Sequence, residues 1–451
     1  MQTPPKCDNR TWRAAAAAAM MAAQAIATQT AALELPAERA AQIDEIAGKF
    51  EKLSMFDGAV LIDIGGEIVF ERYYGMAQHE FGVPHSAATR FRIASVSKPM
   101  TDAALAALIE RGEISIEDTV NLYLPDFPRG DEISILDILQ HRSGIPHTND
   151  QPWGDGRTVM PLDEIVARLA ALPLDFEPGS RRNYSNGGFA VLAKILEVVS
   201  GESYGALMIR YLFDPLGLAD SGHISDSRAV IDNIATGYEP GPGGRRHARF
   251  YAAEMRPGGG SLYSTPRDVR RFAAAVFRER FPSADVNAAF FGNGDNAVQF
   301  SGRSPGFDAQ TYFDPSHDVI AVVLKNNYST QSGLAEAFAR IAVGDGSIDH
   351  WWDFEIVDET VADDHPMIGP YAWPAFIGAR GEFHKSEGGA LLFTDRENGY
   401  SSPLWPMGDN RFLFALFSME CGPHNGGYAE IACRSLSADD PLILQRLDEP
   451  R

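Results

Sequence analysis

The sequence FRIASVSKPM, residues 91–100, places a serine three positions ahead of a lysine at the start of an apolar run. On a helix this spacing brings Ser95 and Lys98 to one face. Proline fits only the first turn of a helix, so Pro99 predicts that the helix begins near Ser95, beside free backbone N–H groups. A serine hydroxyl needs a base and a site for the oxyanion. Because burial can lower the pKa of a lysine, the pair is a candidate catalytic device, and an ordinary capped helix is the alternative.

Patterns on both sides of this stretch predict strands first, then helices, then strands again. The predicted elements are two strands at 58–74, helices at 95–111, 187–201 and 264–277, a β-hairpin at 308–327 and a helix at 333–344. This order predicts an α+β, or mixed α/β, fold in which one sheet is assembled from both ends of the domain. After about residue 350, short alternating segments with many aromatics predict a small β-rich domain.

The second motif is NYSNGG, residues 183–188, which lies just before a predicted helix. Tyr184 and Asn186 are two positions apart and can point the same way from a loop. A tyrosine beside a lysine loses its proton more easily and can serve as a general base, and an Asn amide can hold a substrate carbonyl. A turn residue followed by a helix cap is the alternative interpretation of this motif.

The third motif is FSGRSPGF, residues 300–307, just before the predicted hairpin. Ser301 and Gly302 would let the backbone of a strand approach a ligand closely, because glycine has no side chain. The backbone N–H of Arg303 could then be a second donor to an oxyanion.

In this order, Ser-x-x-Lys, Tyr-x-Asn and a glycine-containing edge strand resemble the serine β-lactamase and penicillin-binding-protein superfamily. The chain is most similar to its branch of class C β-lactamases, carboxylesterases and D-stereospecific peptidases. Segments such as IERGEISIEDTVNLYLPDFP and FEPGSRRNYSNGGFAVLAKILEVVSG carry this resemblance, which covers about residues 45–345. The resemblance implies an antiparallel sheet flanked by helices, together with a helical subdomain.

The resemblance also implies a role for each motif residue. Ser95 would be the nucleophile, and Lys98 and Tyr184 would share the role of base. Asn186 would orient the substrate. The backbone N–H groups of Ser95 and Arg303 would form the oxyanion hole, with Ser301 and Gly302 beside them on the same strand.

Phe300 departs from the family pattern, which usually has Lys or His at this position. Such a residue donates a hydrogen bond, often toward a substrate carboxylate, and phenylalanine cannot. β-Lactams and peptide C-termini both carry carboxylates, so Phe300 favours neutral esters or amides, unless the side chain of Arg303 turns inward to compensate.

Together these residues predict a serine hydrolase that acts through an acyl-enzyme on a small ester, amide or peptide, most like a carboxylesterase. A class C-like β-lactamase, or a D-peptide hydrolase or penicillin-binding protein acting on cell-wall fragments, is the first alternative. A non-catalytic scaffold or binding protein that keeps the fold is the second, and Phe300 is its only support. Substrate identity, stereochemistry and oligomeric state stay open.

The composition of the chain limits the kinds of molecule that it is expected to bind. The formal net charge of −22 repels phosphate backbones and argues against a nucleic-acid role. After residue 30 the sequence contains no run of about 20 apolar residues, the length needed to span a membrane.

The histidines do not suggest a metal site. The two histidines of HEFGVPH, residues 79–85, have the wrong spacing for a helical zinc site, and His141 is expected to fix a loop. We therefore expect no metal and no cofactor.

The N-terminus has the pattern of a signal peptide. A basic stretch with Lys6, Arg10 and Arg13 precedes a short apolar run, 14–27, that ends in a small-x-small pattern. This predicts a signal peptide at 1–27, an attached Ala-rich helix being the alternative, and a periplasmic or secreted protein.

The domain boundaries follow from these patterns, with a serine hydrolase domain at 28–349 and a β-rich domain at 350–451. Cys421 and Cys433 lie close together in the second of these. In an oxidising compartment they could form a disulfide that closes a short loop, and two unpaired buried thiols are the alternative. Cys7 would leave with the signal peptide.

Overall fold

The structure is a computed structural model that describes two stretches of the chain. The first is 34–346, without 53, 155–156, 242–243, 293 and 328–332. The second is 362–447, without 373–379, 386–390, 396–400, 409–410, 415–418, 426 and 436–441. The predicted signal peptide at 1–27 lies outside the described residues.

The first stretch contains a group of strands, then a group of helices, and then further strands and helices. Its helices are α1 (Ala37–Lys52), α2 (Ser97–Glu110), α3 (Val120–Tyr123), α4 (Ile135–Leu139), α5 (Leu162–Ala170), α6 (Asn186–Ser200), α7 (Tyr204–Met208), α8 (Asp214–Leu216), α9 (Pro266–Phe277), α10 (Ala284–Phe291) and α11 (Leu334–Val343). Its strands are β1 (Gly58–Ile64), β2 (Glu67–Tyr74), β3 (Met76–Gln78), β4 (Val83–Pro84), β5 (Phe91–Arg92), β6 (Gly222–His223), β7 (Tyr238–Gly241), β8 (Gly244–His247), β9 (Leu262–Ser264), β10 (Val298–Ser304), β11 (Phe307–Asp314) and β12 (Val319–Lys325).

The central sheet is antiparallel and has the strand order β10–β11–β12–β1–β2. Its middle pair joins the two ends of the first stretch, because Gly58 lies opposite Lys325 and Ile64 opposite Val319. This confirms the prediction of one sheet assembled from both ends. The chain therefore has the α+β fold that the order of its predicted elements indicated.

Helices cover both faces of this sheet, so β1 and β12 are buried almost throughout. Val60 and Ile62 point to the face covered by α1 and α11. Ala59 and Leu61 point to the opposite face, toward α2 and α9. Apolar side chains on both sides of a central strand explain its continuous hydrophobic run.

Local signals explain where the helices begin and end. The Thr265 hydroxyl accepts a hydrogen bond from a backbone N–H and caps α9, whose first residue is Pro266. Helix α6 ends at Gly201, which has a φ of 69°, a conformation that glycine adopts without strain.

Segments α3 to α8 form the helical subdomain, and a small sheet β5–β9–β6 lies next to them. This small sheet holds the chain just before the candidate nucleophile. Phe91 pairs with Ser264, and the Ile93 N–H donates to the Leu262 carbonyl over 3.1 Å.

The second stretch contains a closed antiparallel barrel. Its strands are β13 (Gly369–Ala372), β14 (Arg380–Lys385), β15 (Leu391–Asp395), β16 (Ser401–Gly408), β17 (Arg411–Phe414), β18 (Met419–His424), β19 (Gly427–Ser435) and β20 (Leu442–Arg446). Cys421 and Cys433 lie opposite each other on β18 and β19 and form a disulfide in the barrel interior. Of the two alternatives for these cysteines, a disulfide or two unpaired buried thiols, the structure has the disulfide.

In the part of the chain that the structure describes, no helix is both long enough and apolar enough to cross a membrane.

Candidate active site

Ser95 lies in a short 3-10 turn, Ala94–Val96, and α2 begins two residues later at Ser97. The predicted helix start near Ser95 is therefore two residues too early, because Ser95 lies in the 3-10 turn that precedes α2. Ala94 has a φ of 44°, which is unusual for a residue with a side chain and stores local strain. The sharp turn leaves Ser95 half-buried at the head of α2.

Lys98 is buried, with 5% of its surface exposed, on the first turn of α2. Its Nζ donates to the Asn186 Oδ1 over 2.6 Å and to the Gly259 carbonyl over 2.7 Å. Its distance to the Ser95 Oγ is 3.4 Å. The structure thus brings together the serine and lysine of the first motif and the asparagine of the second.

Burial lowers the pKa of Lys98 to about 7. The nearby positive charge of Arg256 lowers it further, while the carboxyl group of Asp102 raises it. A neutral amine has two N–H bonds and one lone pair. Asn186 and Gly259 accept two hydrogen bonds, so a neutral Lys98 can turn its lone pair toward the Ser95 hydroxyl.

Tyr184 lies on the other side of Ser95, with its Oη 2.8 Å from the Ser95 Oγ. The Lys98 Nζ is 4.7 Å from the centre of the tyrosine ring. Burial raises the pKa of Tyr184 and outweighs the hydrogen bond with Ser95, which lowers it. A raised pKa keeps the phenol protonated near neutral pH.

Two histidine rings hold Tyr184, with ring centres 4.6 Å away at His141 and 5.5 Å away at His147. The Nδ1 of His141 accepts a hydrogen bond from the Ser185 N–H over 3.3 Å. Burial lowers the pKa of His141 to about 4, which keeps that nitrogen free to accept. His141 thus fixes the loop that carries Tyr184.

Asn186 is the first residue of α6, and Ser185 caps the helix by accepting from the Gly188 N–H over 3.0 Å. The Asn186 Nδ2 donates to the Asn149 Oδ1 over 3.2 Å, and its backbone N–H donates to the His147 Nδ1 over 3.0 Å. Because its carbonyl oxygen accepts from Lys98, Asn186 orients the lysine in this structure. Its expected role toward substrate stays a prediction.

Strand β10 runs past Ser95 at Gly302. A Cβ atom on Gly302 would lie 2.6 Å from the Ser95 nitrogen and 2.3 Å from the Ile93 carbonyl oxygen, so only glycine fits there. Ser301 and Arg303 are exposed on either side of it along β10. Gly302 is thus in close contact with the Ser95 N–H, and the N–H of the next residue, Arg303, stays a predicted second donor to an oxyanion.

The side chain of Arg303 turns along the sheet toward its cross-strand neighbour, with its Nε 3.8 Å from the Asp308 Oδ2. Phe300 packs in an aromatic cluster, with ring centres 5.5 Å from Phe277 of α9 and 6.3 Å from Phe291 of α10. Phe300 therefore has a packing role at a position where a donor was expected, and Arg303 does not replace that donor in this arrangement.

Three residues of the site could not be recognised from a sequence motif. Asn149, Gly259 and Arg256 surround Lys98 and its partner but belong to loops without a recognisable motif. The GGG run at 258–260 was the available signal, since consecutive glycines indicate a close approach of the backbone. Among the described residues, no group of three or more His, Cys, Asp or Glu side chains could hold a metal ion.

Comparison with known proteins gives a family match over the first stretch. A model of the Beta-lactamase family matches residues 46–345. The teichoic acid D-alanine hydrolase of Staphylococcus aureus is 28% identical over 228 residues, which cover 51% of this chain and 56% of that protein. This chain thus spans about half the length of the curated relatives it matches.

Solved structures share the fold. The D-amino acid amidase of Ochrobactrum anthropi SV3 superposes with a TM-score of 0.59 at 20% identity, covering 68% of this chain and 99% of that one. The octameric penicillin-binding protein homologue of Pyrococcus abyssi has a TM-score of 0.58 at 19% identity and covers 90% of this chain and 99% of that one.

Proposed function

This chain belongs to the beta-lactamase family, and from that premise we propose that it is a serine hydrolase whose Ser95 attacks an ester or amide carbonyl. One observation carries the proposal. The Ser95 Oγ lies 2.8 Å from the Tyr184 Oη and 3.4 Å from the Nζ of a buried lysine. A hydroxyl held between an amine and a phenol at these distances is set up for proton transfer and nucleophilic attack.

Acylation begins when neutral Lys98 takes the proton of the Ser95 hydroxyl and the Ser95 Oγ bonds to the substrate carbonyl carbon. The backbone N–H groups of Ser95 and Arg303 stabilise the resulting oxyanion. When the tetrahedral intermediate collapses, the Tyr184 phenol gives its proton to the leaving group. The acyl-enzyme then carries a protonated Lys98 beside a Tyr184 phenolate, and the two opposite charges stabilise each other.

Deacylation reverses these proton transfers. The Tyr184 phenolate removes a proton from water, which attacks the acyl carbonyl carbon. The bond to the Ser95 Oγ breaks, and protonated Lys98 returns a proton to that oxygen. Both bases end neutral, as they began, so the cycle balances. This scheme gives Lys98 the base role in acylation and Tyr184 the base role in deacylation.

The preferred substrate is an ester or amide without a carboxylate next to the scissile bond. Phe300 offers no hydrogen bond donor, and Arg303 is turned toward Asp308. A carboxylate at that side of the cleft would lose its hydration without gaining a charged partner, which is costly. The name of the Staphylococcus aureus relative adds D-alanine conjugates to the substrates to be tested.

Action on β-lactams or cell-wall peptides is the alternative. It is considered because a penicillin-binding protein homologue is among the proteins with a similar fold. Phe300 argues against it for the reason just given. A non-catalytic role is disfavoured because Lys98 keeps two hydrogen-bond acceptors and a lowered pKa, an arrangement that a binding scaffold does not need.

We further propose that the protein works in an oxidising compartment, periplasmic or extracellular. The buried disulfide between Cys421 and Cys433 supports this, because such bonds persist where thiols are not kept reduced. The signal-peptide pattern at 1–27 supports the same compartment.

The function is tested with a substrate panel. Short-chain chromogenic esters, a D-alanyl ester, a D-alanyl amide and a penicillin are offered to the wild type, to Ser95→Ala and to Ser316→Ala, an exposed serine in the turn between β11 and β12. We expect ester turnover by the wild type and Ser316→Ala and none by Ser95→Ala, with little turnover of penicillin. Ester turnover that survives in Ser95→Ala would exclude the proposed mechanism.

A further inference from the structure

Arg256 is a buried charge next to the catalytic centre. Only 3% of its surface is exposed, and no carboxylate among the described residues forms an ion pair with it. Its guanidinium donates instead to two backbone carbonyls, to Met255 over 3.0 Å and to Gly154, and it lies 5.5 Å from the ring centre of Tyr251. Burying an arginine without an opposite charge is costly, so its position needs a cause.

The backbone of Arg256 shapes the turn that contacts Lys98. The Arg256 carbonyl accepts hydrogen bonds from the N–H groups of Gly259, over 3.0 Å, and Gly260, over 2.8 Å. The Gly259 carbonyl accepts from the buried Lys98 Nζ over 2.7 Å. Arg256 therefore holds one of the two acceptors that orient the lysine.

The side chain of Arg256 reaches the loop that holds the other acceptor. The guanidinium contacts the carbonyl of Gly154, the last residue of a turned segment. Within this segment, the Gly154 N–H donates to the Gln151 carbonyl over 2.8 Å, and the Gln151 N–H donates to the Thr148 carbonyl over 3.2 Å. Asn149, in the same turn, accepts from the Asn186 Nδ2 over 3.2 Å.

We propose that Arg256 is a positioning residue for Lys98, because its guanidinium closes a ring of contacts that passes through the 148–154 loop, Asn186, Lys98 and Gly259 and back to Arg256. Removing the guanidinium breaks the ring at Gly154, so the loop that orients Asn186 is no longer held, while the Arg256 carbonyl still holds Gly259. This inference rests on the proposed function, in which Lys98 must direct its lone pair at Ser95.

The charge of Arg256 acts in the same direction as its contacts. Four groups face the Lys98 amine: Asp102 on the same helix, Arg256, Tyr184 and the His141 ring. Asp102 raises the pKa of Lys98, and Arg256 lowers it; Arg256 also lowers the pKa of Tyr184. Removing the charge of Arg256 should therefore leave more of Lys98 protonated at neutral pH.

The experiment measures the rate at which a fluorophosphonate labels Ser95, as a function of pH, in the full chain. This probe reports the reactivity of the serine and does not depend on the natural substrate. The variants are Arg256→Met, which removes the charge and the contacts of the guanidinium, and Arg256→Lys, which keeps the charge without those contacts. Arg39→Met is the matched control, since Arg39 also donates to a backbone carbonyl, that of Ala342 over 2.7 Å, but far from the site.

For Arg256→Met we expect the acidic limb of the profile to move to higher pH by about one unit, so that labelling at pH 6, below both pKa values, falls by about tenfold. For Arg256→Lys we expect the limb to stay in place and the plateau rate to fall. Arg39→Met should match the wild type. If Arg256→Met has the same limb and plateau as Arg39→Met, the inference is overturned.

A second variant covers the case in which Arg256→Met does not fold. Asn149→Ala opens the ring at an exposed position and should lower the plateau rate without moving the limb. An unchanged plateau rate in Asn149→Ala would then overturn the inference that the ring of contacts positions Lys98. Labelling that persists in Ser95→Ala, or a wild type that the probe does not label, would instead contradict the proposed function, so the two failures are distinguishable.

Discussion

The Ser95 Oγ and the Tyr184 Oη lie 2.8 Å apart, although 89 positions separate the two residues in the chain. The two motifs reach each other because α2 and α6 pack in the same core and present their N-termini to one cleft. Buried Lys98 lies beneath both hydroxyls. In the proposed mechanism, the protonation state of Lys98 therefore controls whether Ser95 can lose a proton.

The role of Lys98 predicts a pH dependence. Lys98 acts as a base only when neutral, and burial lowers its pKa to about 7, so kcat/KM for a neutral ester should rise with pH through about 7 and then level off. In Lys98→Met the rate should fall by at least about a hundredfold, the usual contribution of a general base. Ester kinetics from pH 5 to 9 measure both effects. A flat profile in the wild type would contradict the assignment.

Tyr184→Phe should slow deacylation more than attack. The phenylalanine keeps the ring between His141 and His147 but can neither protonate a leaving group nor activate water. With an activated ester, whose leaving group needs no proton, we expect a rapid burst of product followed by turnover about a hundredfold slower than in the wild type. Stopped-flow measurement of the burst checks this. Loss of the burst with unchanged steady-state turnover would oppose the proposed role.

Gly302→Ala tests the close approach of β10. The added Cβ would lie 2.6 Å from the Ser95 nitrogen, so β10 must move away and the oxyanion donors must separate. Loss of one such donor costs about a hundredfold or more in kcat. Gly48→Ala in α1 is the matched control, because a Cβ there meets nothing within 4 Å. Equal kcat values for the two variants would show that β10 does not form the oxyanion hole.

Phe300→Lys tests the substrate preference. A lysine there supplies the missing donor, so the ratio of kcat/KM for a penicillin to that for a neutral ester should rise by about tenfold or more, a gain typical of one hydrogen bond to a charged group. Phe300→Leu, which keeps an apolar side chain beside Phe277, is the control and should leave the ratio unchanged. A ratio that does not rise in Phe300→Lys would mean that another feature selects the substrate.

The local part of the site was predictable from the sequence, because helix geometry and short motifs determine it. The spacing of Ser95 and Lys98 placed both at one helix end, and the glycine after Ser301 indicated a close approach of the backbone. The 3-10 turn at Ala94 was not predictable, since its strained φ arises where β10 passes the turn. That approach depends on strand positions set more than 200 residues away.

The environment of Lys98 could not be predicted for a related reason. Gly259 contributes only a carbonyl, and any residue type has one. Arg256 and Asn149 act through loops whose paths depend on tertiary packing. The disulfide was left open because the separation of Cys421 and Cys433 alone does not determine the pairing of β18 with β19, which sets them opposite each other.

The most direct test of the central claim is to find the acyl group on Ser95. Tyr184→Phe is mixed with an activated acyl ester, quenched in acid within the burst, and analysed by intact-mass and peptide mass spectrometry. We predict one added acyl group per chain, located on the peptide that contains Ser95, and none in a Ser95→Ala background. An acyl group on another residue, or turnover without any covalent adduct, would contradict the mechanism.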